Sequence, residues 1–187
     1  MQSLHYQQEQ TLKSMEQMSI NSFGDLEIIP TKTSSRNDFD FFVGKWKVHN
    51  KKLKTRLNDC NDWTEFEALC ECRKILDGFG NTDSFKTEFD GKPFEGMTLR
   101  LFNPQTKLWS IYWADSNAVV LDVPQIGSFD GGIGKFYARD VFAGKPIIVQ
   151  FCWNATDPKI PIWSQAFSAD EGQTWEWNWY MTFERRS

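Results

Sequence analysis

Apolar and polar residues alternate in short runs from Phe41 to the end of the chain, and Gly, Asn, Asp or Pro separate the runs. A period of two places alternate side chains on opposite faces of a strand, and turn residues between such runs indicate successive antiparallel strands. No segment beyond residue 41 has a helical period. The pattern predicts ten strands near residues 42–53, 64–76, 82–89, 95–102, 108–115, 125–130, 133–141, 146–153, 162–168 and 175–184.

Ten short antiparallel strands must hide their edges by closing or stacking. We predict one all-β domain over residues 38–187, a single antiparallel barrel of about ten strands, although a sandwich also fits the count. Residues 1–37 are rich in Gln, Ser, Met and Glu and contain no Trp. We expect a tail that is partly disordered or forms a short helix. The apolar stripe of that helix would be weak: Leu4, Leu12, Met15 and Met18.

The first two strands carry complementary charges at every second position. We predict that they pair with Lys51 opposite Glu67 and Lys47 opposite Glu71, so that both charged faces meet on the outside. The basic run over residues 45–56 is then a solvated strand face. The inner face of the second strand would consist of small residues, which leave room inside a barrel: Ala68, Cys70 and Cys72.

Composition narrows the function classes. Aromatic residues make up 16% of the 187 residues, with nine Trp and sixteen Phe, and such rings suit the lining of a cavity. The net charge of −4 and the pI near 5.3 argue against nucleic-acid binding. No apolar run reaches the roughly 18 residues of a membrane helix, so we expect no membrane partner. The N-terminus lacks a secretory pattern, which predicts a cytoplasmic protein with four free cysteine thiols.

The sequence gives little support for a metal site or a catalytic nucleophile. The chain has two histidines, His5 in the tail and His49 on the lysine face of the first strand. Cys70 and Cys72 lack a second pair to complete a tetrahedral zinc site, so we expect no metal and no other cofactor. A Gly-x-Ser-x-Gly nucleophile motif is missing as well. Residues 168–175 match the Asp-box pattern S-x-D-x-G-x-T-W, which we interpret as the last hairpin turn and not as a catalytic site.

Polar residues on otherwise apolar strand faces are the remaining candidates, because a buried polar group needs a partner or a ligand. The residues that we predict to bind a ligand are Asn50, Trp113, Asp115, Trp153, Trp163, Gln165 and Phe167. If the strands near 95–102 and 108–115 turn their other face inward, the inner residues would instead be Arg100 and Tyr112, facing each other across the hairpin, with Asn178 on a further strand. Arg100 would then form an anion site. We favour the more apolar face of this strand inside, with Met97, Leu99 and Leu101.

Several segments occur in an order that resembles a known family. They are residues 38–44, 46–50, 99–104, 109–113, 163–168 and 178–183. Together with Gly44-x-Trp46 they resemble an uncharacterised family of mostly bacterial, lipocalin-like proteins, a domain of unknown function. The resemblance covers residues 38–185 and implies a calycin-type barrel in which Trp46 plugs the closed end. It brings no catalytic residues.

The leading functional hypothesis is a binding protein for a small apolar or aromatic molecule in the barrel. One alternative is a cofactor-independent enzyme, an isomerase, cyclase or decarboxylase, in which Asp83 or Asp115 has a pKa raised by apolar burial. The other is a filled barrel that acts as a structural or interaction module. We prefer binding to catalysis, and the sequence allows a homodimer.

Overall fold

The computed structural model describes residues 17–89 and 91–186. Within these ranges the chain forms short 3₁₀ turns at Asp40–Phe42 and Leu76–Gly78, and neither range contains a helix with the length and apolarity needed to cross a bilayer. The strands are β1 Met18–Ile20, β2 Leu26–Ile28, β3 Gly44–Leu53, β4 Trp63–Ile75, β5 Gly80–Phe89, β6 Lys92–Asn103, β7 Leu108–Asp115, β8 Gln125–Asp130, β9 Ile133–Phe142, β10 Lys145–Asn154, β11 Ile162–Ser168 and β12 Glu176–Arg185.

Strands β3 to β12 form a closed antiparallel barrel. Each strand pairs with its neighbour in the sequence, and β12 returns to pair with β3, for example with Thr182 opposite His49. The prediction of an all-β antiparallel barrel of about ten strands is confirmed, and the sandwich alternative is wrong. Closure leaves no free edge in this sheet, which a sandwich would not achieve.

The first barrel hairpin has the predicted faces but a different register. Lys51 lies opposite Glu65 and not Glu67, and Lys47 lies opposite Leu69. A shift of two residues keeps every side chain on its face, so alternation alone could not distinguish the two registers. Lys47 still contacts Glu67 diagonally, with 2.6 Å between Nζ and Oε2. Inside the barrel, the small residues are buried as predicted: Ala68, Cys70 and Cys72.

The described part of the N-terminal region contains a β-hairpin. Strands β1 and β2 pair antiparallel, and Met18 of the proposed helical stripe lies in β1. The other members of that stripe, Leu4, Leu12 and Met15, lie outside the described residues. After β2 the chain runs along the barrel, where the backbone amide of Thr31 donates to Ser128 Oγ at 3.0 Å.

Aromatic side chains fill one end of the barrel, which we call the closed end. The segment before β3 inserts Phe39 and Phe42 between the strands, and both are almost fully buried. Phe42 stacks on Trp46 with 5.7 Å between centroids, and the Trp46 indole donates to the carbonyl of Phe42 at 2.7 Å. Arg185 covers Trp46 from outside, with its guanidinium 4.2 Å from the ring centroid. This packing seals the closed end.

The turn between β11 and β12 is organised by Asp170. Its Oδ1 accepts hydrogen bonds from Ser168 Oγ at 2.7 Å and the Thr174 amide at 2.9 Å, and its Oδ2 accepts one from Thr174 Oγ1 at 2.6 Å. The hydroxyl and amide of Thr174, with the Ser168 hydroxyl, lower the pKa of Asp170 to about 2. The ionised carboxylate therefore holds the hairpin turn.

Replacing Asp170 with Asn should lower the melting temperature near neutral pH. The folded pKa of about 2 lies below the ordinary value of 3.8, so this stabilisation is complete above about pH 4 and disappears as the pH falls through about 2. Melting curves across this range should show the two proteins converging in acid. Asp59→Asn, in an exposed loop, is the matched control. A difference between wild type and Asp170→Asn that persists unchanged in acid would contradict the assignment.

Candidate ligand cavity

Antiparallel order determines which residues surround the interior. Successive strands run in opposite directions, so the carboxyl ends of β3, β5, β7, β9 and β11 meet at the end opposite the closed end, which we call the mouth. Between the two lies a cavity of about 470 Å³. It is lined by Phe42, Lys52, Arg56, Cys70, Asp83, Phe85, Phe89, Phe94, Thr98, Arg100, Ile111, Trp113, Asp115, Asn117, Asp122, Phe151, Trp153, Trp163, Gln165, Phe167, Trp179, Met181 and Phe183.

Four indoles and seven phenyl rings contribute to this lining. Trp163 meets Trp179 edge-on, with 5.6 Å between centroids and 87° between planes. Trp113 meets Phe85 at 6.0 Å, and its ring lies so close to Gly96 that a Cβ there would be 2.1 Å from the indole. The rings hold one another by edge contacts, so the cavity surface is preformed.

Six of the seven residues predicted to bind a ligand line this one cavity. They are Trp113, Asp115, Trp153, Trp163, Gln165 and Phe167. Asn50 is buried but does not line the cavity; its Oδ1 accepts a hydrogen bond from the Trp179 indole at 3.1 Å. Asn50 therefore positions a cavity ring instead of facing a ligand.

The alternative face of β6 is the inner one, and our preference for Met97, Leu99 and Leu101 inside is wrong. Arg100 is buried and lies opposite Ile111, whereas Met97 is 42% exposed. The predicted pairing of Arg100 with Tyr112 is also wrong, because Tyr112 lies opposite Leu99 on the outer face. Four residues, 104–107, connect the paired positions Asn103 and Leu108, and this length reverses the parity that we assumed.

Arg100 lies at the part of the cavity next to the closed end, which we call the floor. Its Nη1 donates to Asn81 Oδ1 at 2.9 Å and to Asp83 Oδ2 in a shorter bond. The guanidinium lies 5.0 Å from the Phe39 centroid and 5.1 Å from that of Phe42. Its Nε is buried without a hydrogen-bond partner among the described residues. The floor thus combines a buried ion pair with one unused donor.

Gln165 presents an amide from β11. Its Nε2 donates to Asn178 Oδ1 at 2.8 Å, and Asn178 Nδ2 donates to the carbonyl of Glu176 at 3.3 Å. Asn178, which the alternative face included, is fully buried and does not line the cavity. This chain of amides orients Gln165 so that its carboxamide oxygen is the group available to a ligand.

Two cations at the mouth were missed by the sequence reasoning. Lys52 has the inward parity of Trp46, and it breaks the alternation that placed the basic run outside. Burial and the charge of Arg56 lower the pKa of Lys52 to about 8, while Asp115 opposes that shift. Burial also lowers the pKa of Arg56. The interpretation of residues 45–56 as one solvated face is therefore wrong at these two positions.

Asp115 is engaged in its own turn. Its Oδ1 accepts the amides of Asn117 and Ala118 at 2.8 and 3.0 Å, and its Oδ2 accepts the Trp113 indole at 3.1 Å. Desolvation raises the pKa of Asp115, but these hydrogen bonds outweigh it and the net pKa is lowered. Asp115 therefore lacks the raised pKa that the enzyme hypothesis required.

The cysteines are free thiols, and the buried ones are poor nucleophiles. Burial raises the pKa of Cys70 above its usual range and that of Cys152 to about 11, so both remain protonated at neutral pH. Within residues 17–89 and 91–186, no three His, Cys, Asp or Glu side chains are grouped as a metal site would require.

Comparison with known proteins finds neither a protein-family model nor a curated protein that matches the chain. The chemistry of the cavity therefore has to be argued from its own residues. Those residues provide eleven aromatic rings, an ion pair at the floor, an amide on one side and two cations at the mouth.

Replacing Asp83 with Leu should destabilise the protein by about 3–5 kcal/mol, because it leaves the Arg100 charge buried without its partner. The double variant Asp83→Leu/Arg100→Met should recover most of this loss, since it removes both charges. Urea unfolding of the wild type and the single and double variants measures the coupling. A double variant that is no more stable than Asp83→Leu would contradict an ion pair at the floor.

Proposed function

We propose that the protein binds a small molecule with an apolar or aromatic body inside the barrel. The observation that supports this most directly is the ring-lined cavity of about 470 Å³. Small-molecule sites typically measure ~300–1,000 Å³ and are mostly apolar, with few polar groups for orientation. A water molecule occupies about 30 Å³ of liquid, so the space far exceeds what one or two waters need. A filled barrel is correspondingly disfavoured.

The polar groups supply direction without covering the apolar surface. The free donor of Arg100 lies near the floor, and Gln165 projects from the side. A ligand acceptor near Arg100 Nε would satisfy a buried donor whose lack of a partner otherwise costs about 1–3 kcal/mol. The rings then contribute contact area, and the polar groups select among molecules of similar size.

Cofactor-free catalysis is a second candidate, and Lys52 is the observation that favours it. An amine with a pKa of about 8 beside a cavity could accept a proton. At neutral pH, however, such an amine is mainly protonated and acts as a cation. Asp83 is engaged with Arg100, and the pKa of Asp115 is lowered. These groups suit recognition better than proton transfer, so we place binding first.

Kinship with the lipocalin-like family belongs to the same proposal. It is supported by the strand order, in which neighbours in sequence pair around a closed barrel. The aromatic seal around Trp46 at one end is a second supporting feature.

The neutral fluorescent probe N-phenyl-1-naphthylamine should bind the wild type with saturable enhancement of its emission, in a one-to-one complex visible by native mass spectrometry. Thr98→Phe should weaken this binding about tenfold or more, a change of ~1.4 kcal/mol, because Thr98 lines the cavity and the larger ring occupies part of it. Fluorescence titration gives both dissociation constants.

Met97→Phe is the matched control, because Met97 precedes Thr98 on the same strand and faces outward. It should bind the probe as the wild type does, and circular dichroism should show both variants folded. Equal loss in both variants, or no probe binding by the wild type, would count against the cavity as a binding site.

A further inference from the structure

We infer that the mouth is an anion site, in which Lys52 and Arg56 bind the carboxylate of an organic acid whose apolar body lies in the cavity. This inference rests on the proposed function and names the class of ligand. It assigns a role to the two cations that line the cavity and that the ion pair at the floor leaves unused.

Lys52 is placed to meet a ligand at the end of β3. Its Nζ lies 3.8 Å from the centroid of the Trp179 ring, which itself lines the cavity. It forms no ion pair with a carboxylate of the described residues. A cation over a ring keeps its charge available to a partner on its other side. A ligand carboxylate approaching along the cavity would reach this ammonium directly.

Arg56 also lines the cavity, and it forms no ion pair with a carboxylate of the described residues. Its guanidinium lies over the rings of Phe167 and Phe142, at 5.5 and 5.9 Å from the centroids. Its Nε is buried without a hydrogen-bond partner in the described ranges. Guanidinium donors in a planar arrangement match the two oxygens of a carboxylate. Arg56 therefore offers directional donors where Lys52 offers a compact charge.

The positive charges of Lys52 and Arg56 repel each other. The charge of Arg56 is one of the causes that lower the pKa of Lys52, and burial penalises both charged forms. An anion between them would replace this repulsion by two attractions in a partly desolvated place, where charge pairs are stronger than in water. Binding of an acid would thus reduce the repulsion between the two partly buried positive charges.

Among residues 17–89 and 91–186, no carboxylate forms an ion pair with Lys52 or Arg56. Asp115 accepts hydrogen bonds from the Trp113 indole and two backbone amides. Glu176 Oε2 accepts the Leu57 amide at 2.8 Å, while its Oε1 is buried without a hydrogen-bond partner among the described residues. Both carboxylates moderate the cationic potential from a distance without contacting either cation as an ion pair. Asp122 also faces the cavity from the loop after β7, so the mouth favours a single anionic group at the cations and not a polyanion.

A second recess continues outward from the same cations. It has a volume of about 400 Å³ and shares Lys52, Arg56 and Phe89 with the main cavity. The cations therefore lie at the junction between the interior and an outer cleft. An acid bound here would orient its apolar part inward, towards the rings.

Displacement of N-phenyl-1-naphthylamine by 2-naphthoate and by its neutral isostere 2-naphthamide tests the inference. In the wild type the acid should displace the probe about tenfold more effectively than the amide. Lys52→Gln and Arg56→Gln should each abolish most of this preference, measured as the ratio of the dissociation constants for amide and acid within each variant, so that a change in affinity for the probe cancels. Lys51→Gln, an outward neighbour with the same change of net charge, should keep the wild-type preference.

The outcomes separate the two proposals. Equal displacement by acid and amide in the wild type would overturn the anion site and leave the binding cavity standing. The same would follow if Lys51→Gln reduced the preference as much as Lys52→Gln, because the effect would then reflect net charge alone. Retention of the full preference for the acid by both Lys52→Gln and Arg56→Gln would also overturn the anion site. Failure of the wild type to bind any of the three compounds would overturn both proposals.

Discussion

Pairing of the last strand with the first strand of the barrel is the interaction on which the remaining structure depends. When β12 pairs with β3, the sheet has an inside and an outside at every position, and alternation in sequence becomes alternation between interior and solvent. Ten strands enclose more width than their inward side chains fill. At the closed end, Phe39 and Phe42 fill the space that the strand side chains leave. In the other half of the barrel that space forms the cavity. Cavity and seal are two consequences of one closure.

Sequence alone predicted the class of fold because the period of two is explicit and turn residues separate the runs. It also brought six of seven suggested residues to one cavity, since parity within a strand determines direction. The sequence did not predict which residues of two neighbouring strands lie opposite each other, because this depends on the connection between the strands. Arg100 was paired with Tyr112 because the effect of the four residues 104–107 on register was not visible. The sequence predicts Glu67 opposite Lys51, whereas Glu65 occupies that position. The connection between the two strands is too long to set the register, and charges that repeat every second residue fit either register equally well.

The charged groups of the interior illustrate a second limit. A hydrophobicity argument places Met97 and Leu99 inside in preference to Arg100, because burying a lone guanidinium is costly. The cost falls once Asp83 and Asn81 from the neighbouring strand accept hydrogen bonds from its Nη1, and this depends on a strand pairing that no local pattern reveals. Lys52 differs, because its inward direction could have been predicted from the sequence. It follows Trp46, Val48 and Asn50 at the next alternate position of the same strand.

The aromatic seal and the mouth of the cavity lie at opposite ends of the barrel. The aromatic seal and the buried ion pair lie towards the end where β3 begins. Lys52 and Arg56, which form no ion pair with the described residues, lie where β3 ends. Connections at this second end, including the loop between β7 and β8 with its exposed Val119 and Val120, contribute little to the seal. Substitutions around the entrance could therefore alter the specificity of the proposed binding site without disturbing the aromatic packing at the opposite end.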